Sequence, residues 1–128
     1  MKMTNKAMLD IIDVLNHFGD ATGKIGYAVM KNRKRIAKEL EDYEAQRVAL
    51  VKKYGETVKD ADGKETVKVP ESGDNYKKFV SELVEILNLD VDVEIYTLPK
   101  EDLEDIPCIS SARAADYEIL ENLLTKKE

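Results

Sequence analysis

The sequence predicts an α+β fold, mostly helical, with a long N-terminal helical hairpin, a small antiparallel sheet and two further helices. Three stretches carry that prediction. Tyr27 to Tyr54, bracketed by Gly26 and Gly55, holds apolar side chains at helical spacing for some seven turns. Thr57 to Val69 changes to two short β-rich runs around Asp62-Gly63, a strong hairpin signal. Val91 to Thr97 alternates Val91, Val93 and Ile95 with Asp92, Glu94 and Tyr96, the pattern of a strand with one dry and one wet face.

Taken in order, Thr4 is placed to cap a first helix from Asn5 to about Phe18. Met8, Ile11, Ile12 and Leu15 form its apolar stripe and Gly19 ends it. The hairpin then spans residues 4–55, with the stripe expected against the long helix. At seven-residue spacing the long helix shows one row of Val29, Ile36, Tyr43 and Leu50, and a second of Arg33, Leu40, Arg47 and Tyr54. A helix of this length, roughly 40 Å, outreaches the core of so small a domain. Its seam, Val29, Ile36, Leu40, Tyr43, Leu50 and Tyr54, is therefore expected to meet another long surface. The two choices are the chain's own first helix and the same helix of a second subunit, and a homo-oligomer is the favoured reading.

The β-hairpin covers 57–69 and Pro70 ends its second strand. Ser72 or Asp74 caps a helix over 75–87 that buries Tyr76, Phe79, Val80, Leu83, Ile86 and Leu87. The strand 91–97 is expected to join the hairpin in one sheet, and Pro99 closes it. A C-terminal helix over 110–125, capped by Ser110 or Ser111, packs Ile119, Leu120, Leu123 and Leu124.

At 128 residues the chain is read as a single domain, 1–128, able to bury a core without disulfides or metals. One cysteine and one histidine cannot build a zinc site, and no cofactor is expected. Cys108, in IPCIS, has no basic side chain beside it in sequence to lower its pKa, so it reads as a small packing thiol. No apolar run approaches the roughly 20 residues that span a bilayer, and the N-terminus lacks the apolar core of a signal peptide. The chain is read as soluble and intracellular.

The net charge of −6 is unevenly spread: +5 over residues 1–38, −2 over 39–81 and −9 over 82–128. Lys31, Lys34, Arg35 and Lys38 stand at i, i+3, i+4 and i+7 on one face of the long helix. Like charges so placed repel, which makes the face a candidate for an acidic partner: nucleic acid, a nucleotide-like ligand or the acidic end of another copy. No aromatic side chain interleaves them, so base stacking of the single-strand kind has little support.

The connection Gly19-Asp-Ala-Thr-Gly-Lys-Ile-Gly26 resembles a phosphate-cradling loop only in part. Gly19 and Gly23 are one residue too close, Ile25 stands where a hydroxyl is needed, and a helix precedes the loop. Nucleotide hydrolysis is rejected, but Lys24 beside two glycines and a helix start remains a candidate for an isolated anion. A calcium loop at Asp62-Gly63 fails on ligand spacing. Asp92, Glu94, Glu101, Asp102, Glu104 and Asp105 are read as solvated carboxylates, because an acid–base or metal site would hold them in unlike environments or aim them at one ion.

Several stretches resemble a family of small proteins from tailed phages and prophages of Gram-positive bacteria: GYAVMKN at the start of the long helix, YEAQRVALVKKYGE in its continuation, the DGKE hairpin, and VDVEIYTLPKEDLEDI before the last helix. The family has no established activity or site residues, so the resemblance implies setting and not chemistry: a phage-encoded protein in the host bacterial cytoplasm. With no nucleophile–base pair or metal set to assemble, the chain is expected not to be an enzyme. The expected function is a non-catalytic accessory role by binding, with a host bacterial protein or a small anionic ligand as partner. Inhibition of a bacterial anti-phage defence system, through a protein component or a nucleotide signal, is the leading form. A nucleic-acid-binding replication factor and a virion structural or assembly protein are the alternatives.

Overall fold

The computed structural model describes residues 1–104, 106 and 108–125. Asp105, one of the carboxylates grouped above, lies outside the described residues. By their contacts the residues fall into two compact units, Met1–Leu40 with Asp90–Glu128 in one and Glu41–Leu89 in the other.

The first unit opens with β1 (Lys2–Thr4) and α1 (Asn5–His17). Thr4 caps α1 as expected, its Oγ1 accepting the Ala7 N–H at 3.0 Å. The buried stripe of α1 is Met8 and Leu15 joined by Val14, and Phe18 follows it into the core. Beyond a short turn begins α2 (Gly23–Tyr54), 32 residues and roughly 48 Å long. Gly26 was expected to stand outside this helix, yet it lies in the first turn. It is required there for space: a Cβ would sit 2.3 Å from the Ala21 carbonyl oxygen.

β1 pairs antiparallel with β4 (Asp90–Asp92), with Met3 opposite Val91. This corrects two expectations. The predicted strand 91–97 is a strand only to Asp92, and it pairs with the N-terminus and not with the hairpin. The reason lies in where the next backbone groups find partners. The Val93 N–H goes to the Met1 carbonyl, the Glu94 carbonyl accepts from Arg35 Nη1, and both backbone groups of Tyr96 go to the Asn32 side chain. Polar side chains of α2 replace a second strand, so the chain stays extended without forming a ladder.

After Leu98, whose N–H donates to the Leu124 carbonyl at 2.9 Å, comes the short α4 (Lys100–Leu103). The last helix, α5 (Ala114–Leu124), starts later than expected. Its N-cap is Arg113, whose backbone N–H donates to Asp116 Oδ2 at 3.0 Å, and neither Ser110 nor Ser111 caps it. Ser111 instead donates from its hydroxyl to the His17 carbonyl at 2.6 Å. α5 is also the main helical neighbour of α1, a place the sequence had reserved for α2. The Phe18 and Tyr117 rings meet edge to face there, 5.1 Å between centroids. Leu120 and Leu124 of α5 are fully buried, whereas Ile119 is 40 % exposed and not packed as expected.

The second unit contains the later part of α2, the hairpin of β2 (Glu56–Lys59) and β3 (Glu65–Lys68), and α3 (Asp74–Leu87). Both strands read Glu-Thr-Val-Lys, and their register sets Glu56 opposite Lys68 and Lys59 opposite Glu65, so each end of the ladder carries opposite charges. Asp60 Oδ1 ties the turn by accepting the N–H groups of Asp62 and Lys64. The hairpin forms its own two-stranded sheet. α3 keeps the predicted apolar face, but Tyr76, Phe79, Val80, Leu83, Ile86 and Leu87 are all half-buried and none reaches full burial. Its N-cap is Gly73 with no side-chain hydrogen bond, so neither Ser72 nor Asp74 caps it.

Candidate functional site

The basic stripe of α2 does not act as a row of equal free charges. Lys31 is half-buried, its ammonium 5.6 Å from the centre of the Tyr27 ring, and Arg35 is half-buried with Nη1 on the Glu94 carbonyl at 3.3 Å. Lys34 and Lys38 are exposed and form no ion pair among the described residues. Lys24 is the most telling of the five. Its Nζ lies 3.2 Å from Asp102 Oδ1, and both residues line a cleft of about 400 Å³.

The cleft is built from two ends of the chain that meet in the first unit. From the start of α2 come Gly23, Lys24 and Tyr27; from the extended segment and α4 come Tyr96, Thr97, Leu98, Pro99 and Asp102. Gly23, at φ +69°, adopts the left-handed conformation that turns the chain into α2, a conformation a side chain would strain. On the facing wall, Asn32 holds Tyr96 by a reciprocal pair: its Nδ2 donates to the Tyr96 carbonyl at 3.0 Å, and its Oδ1 accepts the Tyr96 N–H at 2.7 Å. Asn32 is fully buried and Tyr96 half-buried, so the clamp is partly shielded from water. The Tyr27 and Tyr96 rings meet edge to face with centroids 5.3 Å apart.

Chemically the cleft offers two tyrosine rings set edge to face, and one cation paired with one carboxylate. The Lys24 side chain is 73 % exposed and that of Asp102 24 %, so the lysine is the more solvated member of the pair. The first N–H groups of a 32-residue helix add a partial positive charge at the same end.

Of the residues singled out in the sequence, Lys24 lies in the cleft; Lys31 and Arg35 lie further along α2, engaged with its neighbouring residues. Tyr27, Tyr96 and Asp102 were missed as site residues. Asp102 had been grouped with solvated carboxylates, and Tyr96 had been assigned to the wet face of a strand. The available signal was the proximity of Tyr27 to Lys24, one helical turn apart.

The seam residues are placed differently. Val29, Ile36, Leu40, Tyr43 and Leu50 are all buried within the single chain, and Tyr54 is half-buried.

Elsewhere, His17 Nδ1 lies 2.8 Å from Asp116 Oδ2. The Arg113 backbone N–H, and after it the His17 side chain, hold the Asp116 carboxyl below the usual aspartate range. Cys108 is exposed, which corrects its reading as a packed thiol. Among the described residues no group of three or more His, Cys, Asp or Glu side chains is placed to hold a metal ion, and no helix is long and apolar enough to cross a membrane. Comparison with protein-family models, with curated proteins and with solved structures gives no match.

Proposed function

We propose that this chain works by binding, without catalysis, a small anionic ligand that carries a flat ring. The cleft at the start of α2 carries the reading. It combines a solvent-exposed cation, Lys24, with two tyrosine rings in a volume of about 400 Å³, within the range of small-ligand sites. A buried amide clamp fixes one wall, so much of the site is formed before a ligand arrives.

In the phage setting that the resemblance implies, such a protein sequesters a nucleotide signal of a bacterial defence system in the host cytoplasm. The competing nucleic-acid reading loses support from the engagement of Lys31 and Arg35 within the chain, which leaves Lys34 and Lys38 as the exposed part of the stripe.

Native mass spectrometry of protein purified from bacteria, at low and raised salt, tests this reading. The expected result is a retained mass of a few hundred daltons, about that of a mononucleotide, that Lys24→Glu removes while the protein stays folded. A wild-type chain that never retains or takes up such a ligand, but binds duplex or single-stranded DNA with a steep salt dependence, contradicts it.

A further inference from the structure

Among the described residues lining the cleft, Lys24 is the one cation and Asp102 the one carboxylate, and they are already paired, Nζ to Oδ1 at 3.2 Å. An approaching anion therefore meets a neutral pair and not a free ammonium. A lysine ammonium has three N–H donors, so a second anion can reach Nζ from another direction. It then stands within a few ångströms of the Asp102 carboxylate, a range at which like charges repel. The full attraction of Lys24 is available only to an anion that displaces Asp102 from it.

The backbone around Asp102 is anchored on both sides. Its own N–H donates to the Pro99 carbonyl at 3.0 Å, the Leu98 N–H donates to the Leu124 carbonyl at 2.9 Å, and the next side chain, Leu103, is buried. The carboxylate is thus presented to the start of α2 by an element packed into the first unit, from 78 residues away in sequence. Stability is a weak reason for that placement, because an ion pair with so solvated a lysine adds little to a fold.

We infer that Asp102 is a built-in competitor for the anion site: its carboxylate stands where a ligand's anionic group would meet Lys24, and a ligand binds by taking its place. This inference rests on the binding reading given above and adds regulation to the same site. Asp102 lowers the affinity for every anion that uses Lys24, so the cleft answers only to a ligand that gains enough elsewhere, at the Tyr27 and Tyr96 rings, to break the pair.

Titration of the full chain with phenyl phosphate, one flat ring carrying one phosphate, at low salt reads the affinity of wild type and variants, with circular dichroism checking that each is folded. Asp102→Asn and Asp102→Ser are each expected to bind it about fivefold more tightly than wild type, the effect of one unit-charge contact near 4 Å in water. Glu101→Gln removes an exposed charge from the same helix without touching the pair, and is expected to stay within about twofold of wild type. Lys24→Ala is expected to cost more affinity in the Asp102→Asn background than in wild type, because only there does the ligand have the ammonium to itself. Equal or weaker binding by the folded Asp102 variants would overturn the competitor role and leave the cleft as a binding site. A gain of the same size from Glu101→Gln would overturn it as well, by assigning the effect to net charge. Absence of binding by wild type and Asp102 variants alike would overturn both this inference and the binding reading beneath it.

Discussion

Asn32 settles the course of the segment that forms one wall of the cleft. It is a polar side chain at zero exposure, and its amide makes the two hydrogen bonds to Tyr96 that a neighbouring strand would have made. Asn32→Leu would leave the N–H and carbonyl of half-buried Tyr96 without these partners. The expected cost is about 2–3 kcal/mol, read as a lower midpoint in urea unfolding. Asp116 makes a different kind of contribution. Its carboxyl is held low by the Arg113 N–H and then by His17, so its stabilising effect is present above the pKa of an unfolded aspartate, about 3.9, and is lost as pH falls through the lower folded value. Asp116→Asn is therefore expected to lower stability at neutral pH and to flatten the fall in stability on acidification. Thermal unfolding from pH 7 down to pH 3 reads both effects.

At the scale of elements, the start of α2 is sensitive because a glycine there makes room for the preceding backbone. Gly26→Ala would drive a methyl group to 2.3 Å from the Ala21 carbonyl oxygen, which belongs to rigid backbone and cannot swing aside. The expected loss is roughly 1–3 kcal/mol, with weakened ligand binding because Gly23 and Lys24 must shift with the turn. Circular dichroism and titration of the same variant check both. The helices were legible from the sequence because their apolar spacing is local: Thr4 as a cap, Met8 and Leu15, and the row through Val29, Ile36, Tyr43 and Leu50 all took buried or capping positions. The strand after Asp92 was not legible in full. Val91, Val93 and Ile95 alternate as a strand would, yet what decides pairing is a partner far away in sequence, and Asn32 gives no periodic signal of its own. The same holds for Arg113, whose backbone caps α5 through Asp116 where nearby serines promised the usual side-chain cap.

Across the molecule, the polarised charge of the sequence resolves into specific pairs within the first unit. The basic start contributes Lys24, which pairs with Asp102 of the acidic end, and Arg35, which donates to the neutral backbone carbonyl of Glu94. Lys24 was legible as an anion-binding candidate from its glycine neighbours, while Asp102 and Tyr96 depend on a chain reversal of more than sixty residues that no local pattern encodes. The long helix likewise suggested a second subunit because its length exceeds what one small core needs. The structure divides its seam between two units of one chain. The central claim is that function resides in the cleft and not along the exposed basic stripe. Titrating the ¹⁵N-labelled protein with GMP while recording amide shifts tests this most directly. Saturable shifts concentrated at residues 23–27 and 96–102 are expected, whereas shifts confined to the surroundings of Lys34 and Lys38, or none at millimolar ligand, would rule out binding in the cleft.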